Sequence, residues 1–533
     1  MTCCGSFNDR PRGSRAGFLL LVGLIALVAG GKAILSDTLD PDCFWHLRVA
    51  GQLRTDGIGP LADRLSFASI QSPWTPYSWL AELGMRWLWD HAGWRSIIAV
   101  QAIMQAALVG LIAWSCRAGV RTSELKPTEP HFNPFDVAAP GAFSAVIATA
   151  FAAFLSLPYL SFRPVTAALV LIAAAGALLV RDRRHGERTR SVWLIVPIAA
   201  LTVNLHLYAI FIPLWIFSLL SGAIWEWRHA TFTRPETERR ATRYGYLLIA
   251  TGLACLATPM LPGVISSALK YQYADPMVAG NYIPEMQPFF RGTMGTISAA
   301  LVTISLACVV AGYARIRAGE WVWLAFSTVL LFRLGRFAPI FAIAMAPIFA
   351  ATLPNLSDRL LSKPIMLAAM SAVLLLGIGR VVAQFPSRSV TLDQWLNRRG
   401  SDVAGYPCAA AEFVAADVKP ITGRIVNEFS WGGYLEWRLG DRYQTLLDGR
   451  TQLFTPELWR ATCLGTNGDR KRFLQKVHAD AAILPSKGSE FHDALVSLGW
   501  RSAFRDDRAE VLLPPAQMRD NARDWSTALF VGE

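Results

Sequence analysis

The feature that most constrains this chain is a series of apolar runs close to twenty residues long, separated by short segments alternately rich and poor in arginine. A run of that length crosses the hydrocarbon core as a helix. Lipid offers no partner to backbone N–H and C=O groups, so each crossing must satisfy its own hydrogen bonds. Arg10, Arg12 and Arg15 precede the first run, about Gly17–Leu35, and place the N-terminus inside. That run lacks a small-residue cleavage site, so we expect a retained span rather than a signal peptide. The following runs lie at about Ser96–Cys116, Val137–Leu157, Val165–Val180, Tyr244–Pro259, Gly295–Tyr313, Trp321–Phe332, Phe337–Leu353 and Pro364–Val382. Two more share Val192–Trp227, with a turn near Asn204. The total is about eleven spans, with Arg-rich loops inside and loops carrying isolated acids, His or Asn outside.

Composition agrees: 53% of residues are hydrophobic and 17% charged. The net charge of +12 resides largely in the arginine clusters between runs, so membrane topology accounts for it and nucleic-acid binding is not expected. The eight cysteines form no CxxC motif. Cys3 and Cys4 could be acylated, although inert thiols are the ordinary reading. Two regions follow: a transmembrane domain over 1–386, with a large first outer loop over 36–95, and an extracytoplasmic domain over 387–533. In the second, strand-like pieces (Arg424–Phe429, Tyr434–Arg438, Tyr443–Leu447, Ala481–Leu484, Ala509–Leu513) alternate with helix-like ones (Ala409–Ala416, Pro456–Thr462, Arg470–Val477, Ser489–Leu498), as in a small α/β domain. Cys408 and Cys463 there either pair or remain two free thiols.

The first loop carries the chemistry. Acids, a histidine and aromatics crowd into its first ten residues, DTLDPDCFWH, more than a connection between helices requires. A helix starting after Pro41 would hold Asp42 in its first turn and His46 four residues on, on one face. Asp40 or Asp42 then serves as a general base tuned by His46, or both acids hold a divalent cation such as Mg or Mn; the ordinary alternative is a helix cap and a solvated histidine. Asp63 suits a turn or a site equally. Glu82 is secondary, since an i,i+4 pair with Arg86 would explain it. Arg163, Lys270, Arg333 and Arg336 fall at outer span ends, where guanidinium and ammonium groups can hold a phosphate or simply reach lipid headgroups. His206 and Glu285 lie on outer turns and could join that pocket. Trp45, Trp74, Trp79, Trp87, Trp89 and Trp94 suit an interfacial aromatic belt. Trp431-Gly432-Gly433-Tyr434 and Asp448-Gly449-Arg450 read as tight turns at strand ends.

Taken in order, D-P-D-x-F-W-H-L at Asp40–Leu47, G-x-G-P-x-x-D at Gly57–Asp63, W-L-x-E at Trp79–Glu82, F-R-P at Phe162–Pro164, N-L-H at Asn204–His206, Pro284-Glu285 before Phe289, R-x-x-R at Arg333–Arg336, W-G-G-Y-L at Trp431–Leu435 and L-D-G-R at Leu447–Arg450 resemble bacterial members of the GT-C class of membrane glycosyltransferases. That class includes protein mannosyltransferases, aminoarabinose transferases and oligosaccharyltransferases. The resemblance implies a multi-pass bacterial inner-membrane protein with a GT-C-like fold. It implies inverting transfer of a sugar from a polyprenyl-phosphate donor to an extracytoplasmic lipid, polysaccharide or protein acceptor, with the base carboxylate in the first outer loop. A transporter or flippase of lipid-linked glycans is one alternative, but the spans hold few acids and no internal repeat. A non-catalytic scaffold of a glycan-assembly system is the other.

Overall fold

The structure is a computed structural model that describes residues 12–35, 40–70, 73–117, 141–229, 234–272, 283, 286–313, 316–353, 361–398, 405–419 and 421–518. The chain divides into two compact units. One comprises Met1–Leu35, Ile98–Thr258 and Pro284–Phe385; the other comprises Ser36–Ile97, Pro259–Ile283 and Pro386–Glu533.

The first unit is helical. Among the described residues of the chain, eight helices are long and apolar enough to cross a membrane: Ser14–Leu35, Trp94–Arg117, Ala142–Tyr159, Pro164–Arg184, Leu207–Arg228, Gly292–Ala311, Gly335–Thr352 and Pro364–Gln384. The protein is therefore a multi-pass membrane protein. The apolar segment Arg190–Leu205 is shorter. The other two expected spans lie on Arg234–Ala254, whose first turns carry Arg and Glu, and on Ala318–Arg333, which has only 16 residues.

Small residues bring helices into contact. A Cβ at Gly222 would collide with the Gly319 backbone, and one at Gly319 would meet the Leu219 Cα at 2.7 Å, so the Phe211–Arg228 and Ala318–Arg333 helices cross backbone to backbone. The arginine-rich segments form a buried ionic network rather than a purely solvated surface. Glu187 pairs with Arg317 and with Arg240 (3.5 Å), Glu226 with Arg240 (2.8 Å), Asp182 with Arg243 (2.9 Å) and Glu320 with Arg183 (3.0 Å). Such charges are tolerated in the interior because each is paired.

The second unit is built on a five-stranded mixed sheet: β1 (Gly423–Asn427), β2 (Tyr443–Thr445), β3 (Ala481–Pro485), β4 (Arg501–Arg505) and β5 (Ala509–Leu513), in the order β2-β1-β3-β5-β4. β1 pairs in parallel with β2 and β3, while β5 is antiparallel to both β3 and β4. β3 and β5 are buried along their whole length, which is why their apolar runs read as strands. The edge strand β4 begins and ends in arginine, carries the burial of a half-exposed strand and escaped the sequence reading.

The expected strand over Tyr434–Arg438 is instead part of a helix, Gly432–Leu439. Trp431, Leu435 and Leu439 recur every four residues and are buried, a helical period that outweighs the aromatic look of the segment. The expected loop after Met260 likewise contains a helix, Leu261–Gln272, started by Pro262 in its first turn. Cys408 and Cys463 are both buried free thiols.

Residues of the first loop close the β2 edge. Thr445 N–H donates to Leu65 C=O (2.9 Å), Phe67 N–H to Thr445 C=O (3.1 Å) and Ile70 N–H to Leu453 C=O (2.9 Å). The strand that would otherwise present unpaired backbone groups is thereby covered.

Candidate active site

In the second unit the DPD segment opens the helix Asp42–Asp56. Asp40 Oδ1 accepts the Asp42 N–H at 3.0 Å and Asp40 C=O accepts the Cys43 N–H at 3.2 Å. Asp40 thus takes up the first free N–H of the helix, and Asp42 sits in its first turn as expected, half-buried. The aromatic residues behind it are core. Phe44 packs edge-on against Tyr406 (5.4 Å) and Tyr434 (5.3 Å), and Trp45 and Trp74 are each 7% exposed in a cluster with Leu61, Leu65, Met260 and Leu453. Trp45 and Trp74 are therefore not belt residues, whereas Trp87 is 55% exposed.

The motifs W-G-G-Y and L-D-G-R form the seat of this helix. A Cβ at Gly433 would press on Pro41 C=O (3.1 Å) and on Trp45 Cβ (3.2 Å). A Cβ at Gly449 would collide with Asp42 Oδ1 and lie 2.9 Å from Trp45 Nε1. Glycine at 449 is what lets the Asp42 carboxylate lie directly on the Asp448–Arg450 turn. Trp45 Nε1, at the same spot, is buried with no hydrogen-bond partner among the described residues.

His46 does not face solvent. Its Nδ1 lies 3.0 Å from Glu82 Oε1, and both side chains are buried. The Trp79–Ala92 helix holds Glu82 inward, and Arg86 pairs with Asp90 (2.9 Å), so the expected Glu82–Arg86 pair is replaced. Burial pushes the Glu82 carboxyl up to about 8, against the pull of Arg450.

Asp63 is both turn acid and ion-pair partner. Its Oδ1 accepts the Leu65 N–H (2.9 Å) and receives Arg450 Nη1 (2.9 Å). Arg450, fully buried, also reaches Asp448 (2.5 Å) and lies 3.8 Å from Glu436. Burial alone would raise the Asp63 carboxyl; the guanidinium and the Leu65 amide outweigh it and pull it below the usual value. Glu436 goes the other way: burial, then the Asp448 charge, hold it well above the carboxylate range. Arg450 and Glu436 were not among the candidates. No spacing rule ties Asp63 to an arginine 387 residues away.

In the first unit the described cations separate. Arg333 is exposed at the end of its helix, whereas Arg336 is half-buried in the turn Gly335–Phe337 and donates to Met286 Sδ (3.2 Å). His206, 6% exposed, caps the break between Ile195–Leu205 and Leu207–Ile210, where its Nδ1 accepts the Tyr208 N–H at 3.2 Å. Arg336 and Arg163 both act electrostatically on His206, so these three expected residues share one neighbourhood. The Lys270 side chain and Glu285 lie outside the described residues.

No protein-family model and no curated protein sequence matches the chain. Solved structures do. The apo oligosaccharyltransferase of Archaeoglobus fulgidus aligns over 90% of this chain and 70% of its own, with a TM-score of 0.52 at 12% identity. The chain has a GT-C-like fold. ArnT from Cupriavidus metallidurans bound to undecaprenyl phosphate covers 93% of this chain and 98% of its own (TM-score 0.48, 12% identity). Archaeoglobus fulgidus AglB in complex with an inhibitory peptide and a dolichol-phosphate covers 87% and 69% (TM-score 0.48, 12% identity). At this identity the likeness concerns architecture; the GT-C-like chain's own residues must supply the chemistry.

Proposed function

We propose that this protein is a membrane glycosyltransferase that moves a sugar from a polyprenyl-phosphate carrier to an acceptor on the outer face of a bacterial inner membrane, with Asp42 as general base. The acceptor oxygen attacks the anomeric carbon as the carbon–oxygen bond to the carrier phosphate breaks. Asp42 takes the acceptor proton, and the phosphate departs with the bonding pair. The observation that carries this reading is the placement of Asp42: a half-buried carboxylate at a helix start, resting on Gly449, with its backbone N–H held by the Asp40 carboxylate. Asp40 is then a positioning residue.

His46 and Glu82 hold the far side of the helix rigid through their buried contact. Arg163 and Arg336 would neutralise the carrier phosphate, Arg336 by a fork that fits two oxygens. Lys270, Glu285 and Arg333 remain further candidates for the carrier or acceptor. A divalent cation fits as a subsidiary element. Asp40 and Asp42 make a two-carboxylate set of the kind magnesium uses together with substrate phosphates, and among the described residues no larger His, Cys, Asp or Glu group could hold one. Such an ion would offset charge on the departing phosphate.

The test is transfer in membranes from a panel of radiolabelled polyprenyl-phosphate sugars, for the native chain, Asp42→Asn and Asp40→Asn, with and without chelator. Label reaching an acceptor, abolished in Asp42→Asn and only reduced in Asp40→Asn, is the expected result. Transfer that survives Asp42→Asn unchanged removes Asp42 as base.

A further inference from the structure

Three breaks in the helices of the first unit come together. The turn before Pro164 carries Arg163, the break after Leu205 carries His206, and the turn Gly335–Phe337 carries Arg336. Phe337 lies against Tyr208, two residues from His206, with ring centroids 5.7 Å apart. A Cβ at Gly335 would meet the Tyr159 hydroxyl at 2.6 Å, which ties the Arg336 turn to the segment leading into Arg163.

Within this arrangement the Tyr208 backbone N–H donates to His206 Nδ1 at 3.2 Å. A backbone N–H has only one role, so Nδ1 must be the bare, accepting nitrogen and the proton of a neutral ring sits on Nε2. Forming the imidazolium would place a second N–H against the Tyr208 N–H and break that contact. It would also set a third positive charge beside the Arg163 and Arg336 guanidinium groups. Burial and then the Arg336 and Arg163 charges accordingly press the ring toward its neutral form.

We propose that His206 is a permanently neutral hydrogen-bond donor, through Nε2–H, in an oxyanion site completed by Arg163 and Arg336, and that the ligand is a phosphate ester on an amphiphilic chain. The inference rests on the phosphate-holding role given above to Arg163 and Arg336. It adds a residue and a division of labour: two fixed charges neutralise the phosphate, and an uncharged donor sets its orientation without exchanging a proton. A neutral imidazole can polarise an oxyanion while staying insensitive to pH in the range where histidine normally titrates.

The experiment uses the purified full chain in detergent with farnesyl phosphate as probe, its affinity measured calorimetrically for the native protein, His206→Gln, His206→Ala, Arg163→Gln and Arg336→Gln. Glutamine reproduces the Nε2–H donor, so His206→Gln should bind within about threefold of native, while His206→Ala loses about tenfold or more. The ratio of native to His206→Gln affinity should stay constant from about pH 5 to about pH 8, the ligand's own ionisation cancelling. In liposomes, solid-state NMR of nitrogen-15 histidine-labelled protein, assigned by the signal lost in His206→Gln, should show a bare Nδ1 and a protonated Nε2 throughout. A ratio that climbs severalfold on acidification, or a signal that turns into imidazolium, overturns the proposal. Native affinity in His206→Ala alongside weakened Arg163→Gln and Arg336→Gln also overturns it, leaving the phosphate site intact. Native affinity in all four variants removes the phosphate reading of the site itself, and the inference with it.

Discussion

Replacing Arg450 by methionine removes, among the described residues, the one cation within contact distance of Asp63, Asp448 and Glu436 while roughly conserving side-chain volume. Burial has already pushed Glu436 toward its neutral form, so the charges left uncompensated are Asp63 and Asp448. Breaking a buried pair in this one-sided way costs about 3–5 kcal/mol. The guanidinium also lies over the Trp74 ring at 5.4 Å, an interaction contributing about 1 kcal/mol more. For a unit of this size, each kcal/mol is worth roughly 2–4 °C, so the midpoint should fall by about 8–24 °C. The pH dependence identifies the mechanism. In the native protein Asp63 is held below its unfolded value, so its contribution is full above about pH 4 and is lost as pH falls through the folded value. Without Arg450 the buried acids are instead pushed above their unfolded values, so stability falls as pH rises from about 4. The deficit of Arg450→Met should therefore be largest near neutrality and shrink on acidification, and adding Asp63→Asn should recover part of it. The assay is tryptophan-fluorescence melting of the full chain in detergent across pH. A midpoint within about 2 °C of native, or a deficit of constant size at every pH, would refute the argument.

Three further outcomes are expected. Glu82 has a folded value of about 8, above its unfolded value, so native stability is complete below about pH 4.5 and declines as pH rises to about 8; Glu82→Gln should flatten that decline, gaining up to about 4 kcal/mol near pH 8, read by the same melts. Gly449→Ala pushes a methyl group into Asp42 Oδ1 and should reduce glycosyl transfer about a hundredfold while shifting the melting midpoint by only a few degrees, compared in the membrane assay and in detergent melts. Gly222→Val cannot be relieved by rotating a side chain, because the obstacle is the Gly319 backbone; monodisperse yield from membranes should collapse, with a cost of about 3 kcal/mol or more.

The apolar helices were readable because lipid imposes a simple rule on length and composition, and their positions follow the runs closely. The rule blurs where charge intrudes, as at Arg234–Ala254, or where the helix is short, as at Ala318–Arg333. The helix after Pro41 and the pieces around β1, β2, β3 and β5 were equally legible from local pattern. What could not be read was pairing at a distance. Glu82 has an arginine one turn away, and local spacing favours that partner; only the folded chain shows it turned inward to His46. Likewise Gly449 looked like ordinary turn chemistry until Asp42 was found resting on it. The arginines of the interhelical segments, which topology explains, also carry a buried ionic network whose acids the sequence placed but did not connect.

Closure of the β2 edge by the first loop has a consequence for biogenesis. Ser66 Oγ donates to Leu446 C=O, and Asp63 meets Arg450, across separations of 380 and 387 residues. At about 5–20 residues per second, the loop leaves the ribosome roughly 20–80 s before the strand it must cover exists. Through that interval the Asp42–Asp56 helix has its early partners Leu61, Leu65, Trp74 and the Trp79–Ala92 helix but not its C-terminal ones, Tyr406, Tyr434 and Leu453, while every later apolar helix is still being inserted. Maturation of this unit therefore waits for the strands after residue 443, and a stop codon between residues 385 and 450 would release a chain with its eight described apolar helices made but this early loop unfinished, a natural substrate for quality-control proteases.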